Sequence, residues 1–165
     1  MNQIAKLFFE NPGKEFYLRQ ISRLAKIPKT TVSRRIALLL EEKIIKKAEA
    51  EPYSRFIADT ESPAYIFYKK QFILEKIFKS GIIEYIADKT HPKAIILFGS
   101  CAKGEYTKDS DIDLFVQSPE TELSLKRFRL SHGINIIFSD SLQKISENLR
   151  NNIINGVILY GLIRL

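Results

Sequence analysis

The chain has 165 residues, a formal net charge of +7, a pI near 9.4 and 45% apolar residues. This length allows one domain or two small ones, and the apolar fraction is ordinary for a globular protein. No apolar run reaches the roughly 18 to 20 residues of a membrane span, and the N-terminus lacks the layout of a secretory signal, so we expect a cytoplasmic protein without a membrane partner. A single cysteine, Cys101, excludes an internal disulfide.

The basic residues are concentrated at the front of the chain. Residues 1–60 hold 12 Lys and Arg against 7 Asp and Glu. This excess favours an anionic partner, nucleic acid first. The alternative is a Lys-rich surface that serves solubility or ion-pair networks.

In chain order, a short amphipathic helix, NQIAKLFFE, is followed by two helices joined by a tight turn. In LRQISRLAKIPKTTVSRRIALLL, two apolar helical faces are separated at Pro28, where the first helix must end. A side-chain oxygen of Thr30 or Thr31 is expected to cap the second helix. Two helices joined in this way form a helix-turn-helix.

The polar face of these helices is basic. Between Leu18 and Leu40 the sequence has six cations and no acid. The stretch resembles the helix-turn-helix of winged-helix transcription regulators, with AEAEPYSRFIADT as the wing. Because the start of the second helix enters the major groove in such proteins, the resemblance implies binding of double-stranded DNA. The residues expected to contact DNA are Arg19, Arg23, Lys26, Lys29, Thr30, Thr31, Ser33, Arg34, Arg35 and Arg55. The alternative is a protein-interaction module with a solvated basic face.

Residues 61–80 predict a linker helix that is rich in aromatic side chains. So many around one helix imply burial on more than one side, either between two domains or against a second copy of the chain. We therefore expect a homodimer, which would also place two DNA-binding modules on one duplex.

From residue 93 onward, strands alternate with helices. The run AIILF is apolar throughout, which predicts a strand buried on both faces. It leads to Gly99 and Ser100, and a short helix is expected from Cys101 to about Glu105. Gly99 allows close approach of a ligand, and Ser100 with the first amides of the helix could bind a phosphate.

Two aspartates open the next strand, DIDLFV. Because side chains alternate along a strand, Asp111 and Asp113 point to the same side, roughly 6.6 to 6.8 Å apart. A magnesium ion would relieve their repulsion and engage substrate phosphates. The alternative is that Asp111 shapes a turn and Asp113 is an exposed edge residue.

Together, FGSCAKGEYTKDSDIDLFV resembles the signature of nucleotidyltransferases of the DNA polymerase beta superfamily, above all their minimal prokaryotic domains. The resemblance implies that Gly99 and Ser100 hold the triphosphate, that Lys103 and Gly104 add to this phosphate site, and that Asp111 and Asp113 are catalytic and bind magnesium. A third carboxylate normally comes from a later strand. Here that strand is GINIIF and the position is Asn135, which can ligate a metal through its oxygen but brings no charge. Asp140, just beyond the strand, is the weaker substitute.

The expected fold is α+β. It comprises a winged helix at 1–60, the linker helix at 61–80 and a nucleotidyltransferase-like domain with a small mixed sheet at 81–165. The favoured function is a DNA-binding regulator that carries a magnesium- and nucleotide-binding domain. The alternative is an active enzyme that transfers a nucleoside monophosphate to a hydroxyl of a partner protein or a small molecule, as antitoxin-type members do. His91 and His132 are interpreted as surface or turn residues.

Overall fold

The computed structural model describes residues 3–48 and 53–163. The chain divides into two compact units, Met1–Phe72 and Ile73–Leu165. The boundary falls within one helix, α4 (Pro63–Lys79), which occupies the segment where the linker helix was expected.

The first unit contains three helices and a three-stranded antiparallel sheet before α4 begins. Its elements are α1 (Gln3–Glu10), β1 (Phe16–Tyr17), α2 (Leu18–Ala25), α3 (Lys29–Glu41), β2 (Ile45–Ala48) and β3 (Arg55–Ala58). The strand order is β1-β3-β2, so the first strand pairs with the last. Of the segment expected to form a wing, residues 49–52 lie outside the described part of the chain.

The turn between α2 and α3 is built by local backbone chemistry. Lys26 adopts a left-handed conformation with φ 54° and donates its N–H to the Ser22 carbonyl, which ends α2. The Ser22 hydroxyl also donates to the Ile27 carbonyl at 2.7 Å. The capping prediction is wrong, because α3 already begins at Lys29, with Pro28 at its N-cap and no side-chain cap. Thr30 and Thr31 therefore lie inside the first turn of α3.

The apolar faces read from the sequence form the core of this unit. Val32, Ile36 and Leu39 of α3 are all buried. They pack with buried residues from every other element of the unit, including Ile4, Phe8, Phe9, Phe16, Ile21, Phe56, Tyr65 and Phe72. Burial also raises the pKa of the Tyr65 hydroxyl, which donates to the Phe8 carbonyl. The two-helix prediction is thus confirmed at the level of secondary structure and packing.

The second unit contains a four-stranded mixed sheet with helices around it. After the end of α4 come α5 (Ile82–Thr90), β4 (Ala94–Phe98), α6 (Gly99–Lys103), β5 (Ile112–Val116), β6 (Ile134–Phe138), a 3₁₀ turn (Leu142–Lys144), α7 (Glu147–Ile154) and β7 (Val157–Gly161). The strand order is β6-β5-β4-β7. Strands β5 and β6 are parallel, whereas β4 is antiparallel to both of its neighbours.

Strand β4 lies in the middle of this sheet and is buried along its whole length. Ile95 and Leu97 belong to the core on one face, and Ala94, Ile96 and Phe98 belong to the core on the other. The prediction of a strand buried on both faces is therefore confirmed. Such a strand fixes the position of whatever follows it, here Gly99 and Ser100.

The aromatic-rich helix α4 contributes to both cores. Tyr65 and Phe72 are buried in the core of the first unit, and Ile73 and Ile77 in that of the second. Within the described residues, no helix is both long and apolar enough to cross a membrane.

Candidate functional site

The candidate site begins where β4 passes into α6. Gly99 has φ 71°, and a Cβ at this position would lie 2.6 Å from Oδ2 of Asp113. Only glycine meets both conditions without strain. The Asp113 carboxylate therefore lies directly against Gly99.

Helix α6 has the expected length but begins and ends about two residues earlier than the sequence indicated. It starts at Gly99 rather than Cys101 and ends at Lys103. Gly104 adopts φ 78° and donates its N–H to the carbonyls of Ser100 and Cys101, which closes the helix. Ser100 is half-buried in the first turn, and Lys103 is exposed in the last.

Asp111 and Asp113 flank a buried residue at the start of β5. Ile112 is buried, whereas Asp111 is exposed and Asp113 is half-buried. The Asp111 carbonyl accepts a hydrogen bond from the Cys101 thiol at 3.3 Å. Cys101 is buried beneath the site, so it positions the backbone of Asp111 and has no access to solvent.

A second glycine fits against Asp111, and sequence reasoning did not single it out. A Cβ at Gly133 would overlap Oδ1 of Asp111, and the Gly133 carbonyl accepts the Ile112 N–H at 2.8 Å. Each aspartate of the pair is therefore seated against a glycine, Gly133 for Asp111 and Gly99 for Asp113. The sequence signal was the glycine that opens GINIIF.

Asn135 completes the cluster from the neighbouring strand. Strands β5 and β6 are parallel and in register, with Asp113 opposite Asn135. The Asn135 amide nitrogen donates to Oδ2 of Asp111 at 3.3 Å and to Oδ1 of Asp113 at 3.2 Å. The three side chains proposed as metal ligands thus converge on one point.

The acidic pair is not neutralised by a basic side chain. Across residues 3–48 and 53–163, no Lys, Arg or His forms an ion pair with Asp111 or Asp113, and no group of three or more His, Cys, Asp or Glu side chains could hold a metal. The hydrogen bond from Lys144, at 2.9 Å, lowers the pKa of Asp140 and holds its carboxylate at that lysine. Because no group of three carboxylates that could hold a metal forms among the described residues, Asp140 lies outside the cluster, whose donor set is two carboxylates and one amide.

His132 differs from its sequence interpretation. It is buried, and its ring centroid lies 5.6 Å from that of the buried Tyr106. The surface assignment is wrong because Gly133 pairs with β5 and carries the preceding residue into the core. His91 does end a helix, with φ 42° after α5.

The predicted DNA-contacting residues form an exposed face of the first unit. All nine of them that lie on or between α2 and α3, from Arg19 to Arg35, are exposed. Arg55 differs, because its guanidinium pairs with Glu15 at 2.6 Å and lies 5.8 Å from the ring centroid of Tyr17. Beside this pair, a groove of about 690 Å³ is lined by Tyr17, Leu18, Arg19, Gln20, Lys29, Tyr53, Ser54 and Phe56. No sequence pattern had indicated this groove.

Residues 79–156 match the family model described as "Nucleotidyltransferase domain". This range contains all of the clustered site residues, so the part of the chain that carries the site is similar to that family. A relative from Methanocaldococcus jannaschii, "Putative protein adenylyltransferase MJ1215", is 39% identical over 56 residues, which are 34% of this chain and 65% of that protein. The chain thus spans slightly less than two thirds of the length of that relative. No solved structure was found to match.

Proposed function

We propose that residues 79–156 form a nucleotidyltransferase that transfers a nucleoside monophosphate from a triphosphate to a hydroxyl of a protein acceptor. The observation that carries this proposal is the convergence of Asp111, Asp113 and Asn135 beside the Gly99-Ser100 peptide. The match to the nucleotidyltransferase domain and the name of the M. jannaschii relative support this class of reaction.

The donor set suits Mg²⁺. This ion binds through one or two carboxylates and completes its octahedron with water and substrate phosphates. Asp111 and Asp113 provide the two carboxylates, and both accept a hydrogen bond from the Asn135 amide nitrogen. When bound, the ion would neutralise phosphate charge and stabilise the pyrophosphate leaving group.

The remaining groups have roles that follow from their chemistry. The Ser100 hydroxyl can donate to a phosphate oxygen, and the bare Gly99 backbone lets the triphosphate approach the carboxylates. Lys103 adds a positive charge one turn further along α6. The acceptor oxygen attacks the α-phosphorus as the bond to pyrophosphate breaks, and the acceptor proton must be removed. Of the three clustered side chains, only Asp111 and Asp113 can take it, because an amide is not a base.

Calorimetric titration of ATP in the presence of Mg²⁺ tests the nucleotide site. We expect binding that disappears without Mg²⁺ and that weakens about tenfold or more in Ser100→Ala, because a hydrogen bond to a charged group is worth about 1.5 to 3 kcal/mol. Ser146→Ala is the matched control, since Ser146 is exposed and caps nothing with its side chain. Equal affinity in Ser100→Ala and Ser146→Ala would remove Ser100 from the site.

We also propose that the first unit is a winged-helix module that binds double-stranded DNA. The element order α1-β1-α2-α3-β2-β3, with a β1-β3-β2 antiparallel sheet, supports this assignment. The exposed basic face of α2 and α3 supplies the electrostatic footprint that DNA requires. Because Arg55 is paired with Glu15, most of the phosphate contacts fall to the cations of α2 and α3.

The double variant Arg19→Ala plus Arg23→Ala, at two exposed positions of α2, tests this second proposal. If both arginines contact phosphate, the slope of log affinity against log salt concentration should become shallower by about 1.8, because each contact contributes about 0.9. Fluorescence anisotropy with a labelled duplex measures it. Lys89→Ala plus Lys126→Ala removes the same charge from exposed positions of the second unit and should leave the slope unchanged. Parallel salt plots for the parent and the arginine variant would contradict the assignment.

A further inference from the structure

The amide of Asn135 occupies the centre of the acidic cluster. An amide nitrogen carries two hydrogens, and here both are used, one on each aspartate, at 3.3 and 3.2 Å. Asn135 therefore bridges the two carboxylates as a cation would, but without a net charge.

We propose that Asn135 limits this site to one divalent cation, its amide standing where a second cation would need a ligand. This inference rests on the proposed nucleotidyltransferase function and specifies how that site is loaded. The role of Asn135 is thus to determine the number of metal ions that the site binds.

The charges of the cluster are consistent with one ion. Asp111 and Asp113 together carry two negative charges, which one divalent cation balances. Among the described residues, no other carboxylate contacts them, and Asp140 is held by Lys144. A second Mg²⁺ would find a neutral amide at the third position, and neutral ligands bind this ion less strongly than carboxylates.

The hydrogen bonds add a competitive cost. The amide must turn over to present its oxygen to an ion, because its nitrogen now faces both carboxylates. Turning it breaks two hydrogen bonds to charged acceptors, which are about twice as strong as neutral ones. The first ion can use oxygen lone pairs that the amide leaves free, whereas a second ion must displace the amide. The arrangement thus favours the first ion and disfavours the second.

Counting bound Mn²⁺ tests the inference directly. Electron paramagnetic resonance would measure free and bound Mn²⁺ in the full chain with α,β-methylene-ATP, which cannot be cleaved at the reacting bond. The chain is kept in excess so that the analogue is bound, and the spectrum of Mn²⁺ with the analogue alone identifies any ion held by free analogue. The variants are Asn135→Asp, Asn135→Ala and, as a charge-matched control, Asn151→Asp on the exposed surface of α7.

We expect one Mn²⁺ per bound analogue in the parent, in Asn135→Ala and in Asn151→Asp. Asn135→Asp should bind two ions that give a spin-coupled signal, with half-saturation at an Mn²⁺ concentration about tenfold lower, because ligand charge sets affinity. Two ions in the parent, or one in an Asn135→Asp variant with an intact circular dichroism spectrum, would overturn the inference while leaving the proposed reaction standing. If Asn135→Asp does not fold, the inference is tested by the parent and Asn135→Ala. One ion in each supports it, and two ions in either contradict it. No bound ion in the parent would overturn the proposed function together with this inference.

Discussion

Replacing Asp113 with asparagine should reduce the rate of nucleotide transfer by about 10³-fold or more, because the bound metal ion stabilises the charge of the transition state. This loss corresponds to about 4 kcal/mol, at about 1.4 kcal/mol for each factor of ten. The substitution keeps the size of the side chain but removes one of the two charged metal ligands. The measurement is the rate at which label from α-³²P-ATP enters the acceptor. Asp113 lies against Gly99 and accepts a hydrogen bond from the Asn135 amide, so its carboxylate is fixed in the cluster. An asparagine there cannot replace the lost charge.

The same substitution should leave the fold intact. Asp111 and Asp113 are like charges without a basic partner among the described residues, so removing one relieves repulsion and should not lower the melting temperature. Asp109→Asn is the matched control, because Asp109 is exposed in the turn before β5. Parental activity in a folded Asp113→Asn variant would show that the carboxylate pair is not the catalytic site.

Gly99→Ala should eliminate transfer and also lower stability. A residue with a side chain at φ 71° costs about 1 to 2 kcal/mol in unfolding free energy. In addition, the new Cβ would lie 2.6 Å from Oδ2 of Asp113, so the carboxylate must move away from its position. Chemical denaturation measures the first effect, and the transfer rate measures the second.

Gly81→Ala separates the two effects. Gly81 has φ 75°, nearly the same backbone conformation, but a Cβ there would meet nothing within 4 Å. Both variants should lose similar stability from backbone strain, whereas only Gly99→Ala should lose activity. If the two variants retain the same activity, the contact between Gly99 and Asp113 has no role in the site.

The sequence predicted the parts of the site that depend on local pattern. An apolar run followed by Gly99 and Ser100 indicated a buried strand that ends at a ligand-accessible turn, and the alternation around Ile112 indicated two carboxylates on one side. Both follow from the two-residue period of a strand. The helices of the first unit were equally readable, because their apolar faces repeat with the helical period.

The parts that depend on strand pairing could not be read in this way. The parallel register of β5 and β6 sets Asn135 opposite Asp113, across a connection of residues 117–133 that has no repeating pattern. The burial of His132 follows from the same register. Likewise, the pair between Arg55 and Glu15 exists because β1 and β3 are neighbours, although they are far apart in sequence.

The most direct test of the proposed nucleotidyl transfer compares two positions of the label in ATP. The full chain would be incubated with Mg²⁺, labelled ATP and a nucleotide-depleted lysate of the organism that produces it. The label would be at either the α- or the γ-phosphate of the ATP. We predict that the α-label becomes covalently attached to a protein band that the γ-label does not mark, and that this band is absent with Asp113→Asn. A band that depends on the parent chain and carries the γ-label would contradict nucleotidyl transfer, as would attachment of the α-label that persists in Asp113→Asn.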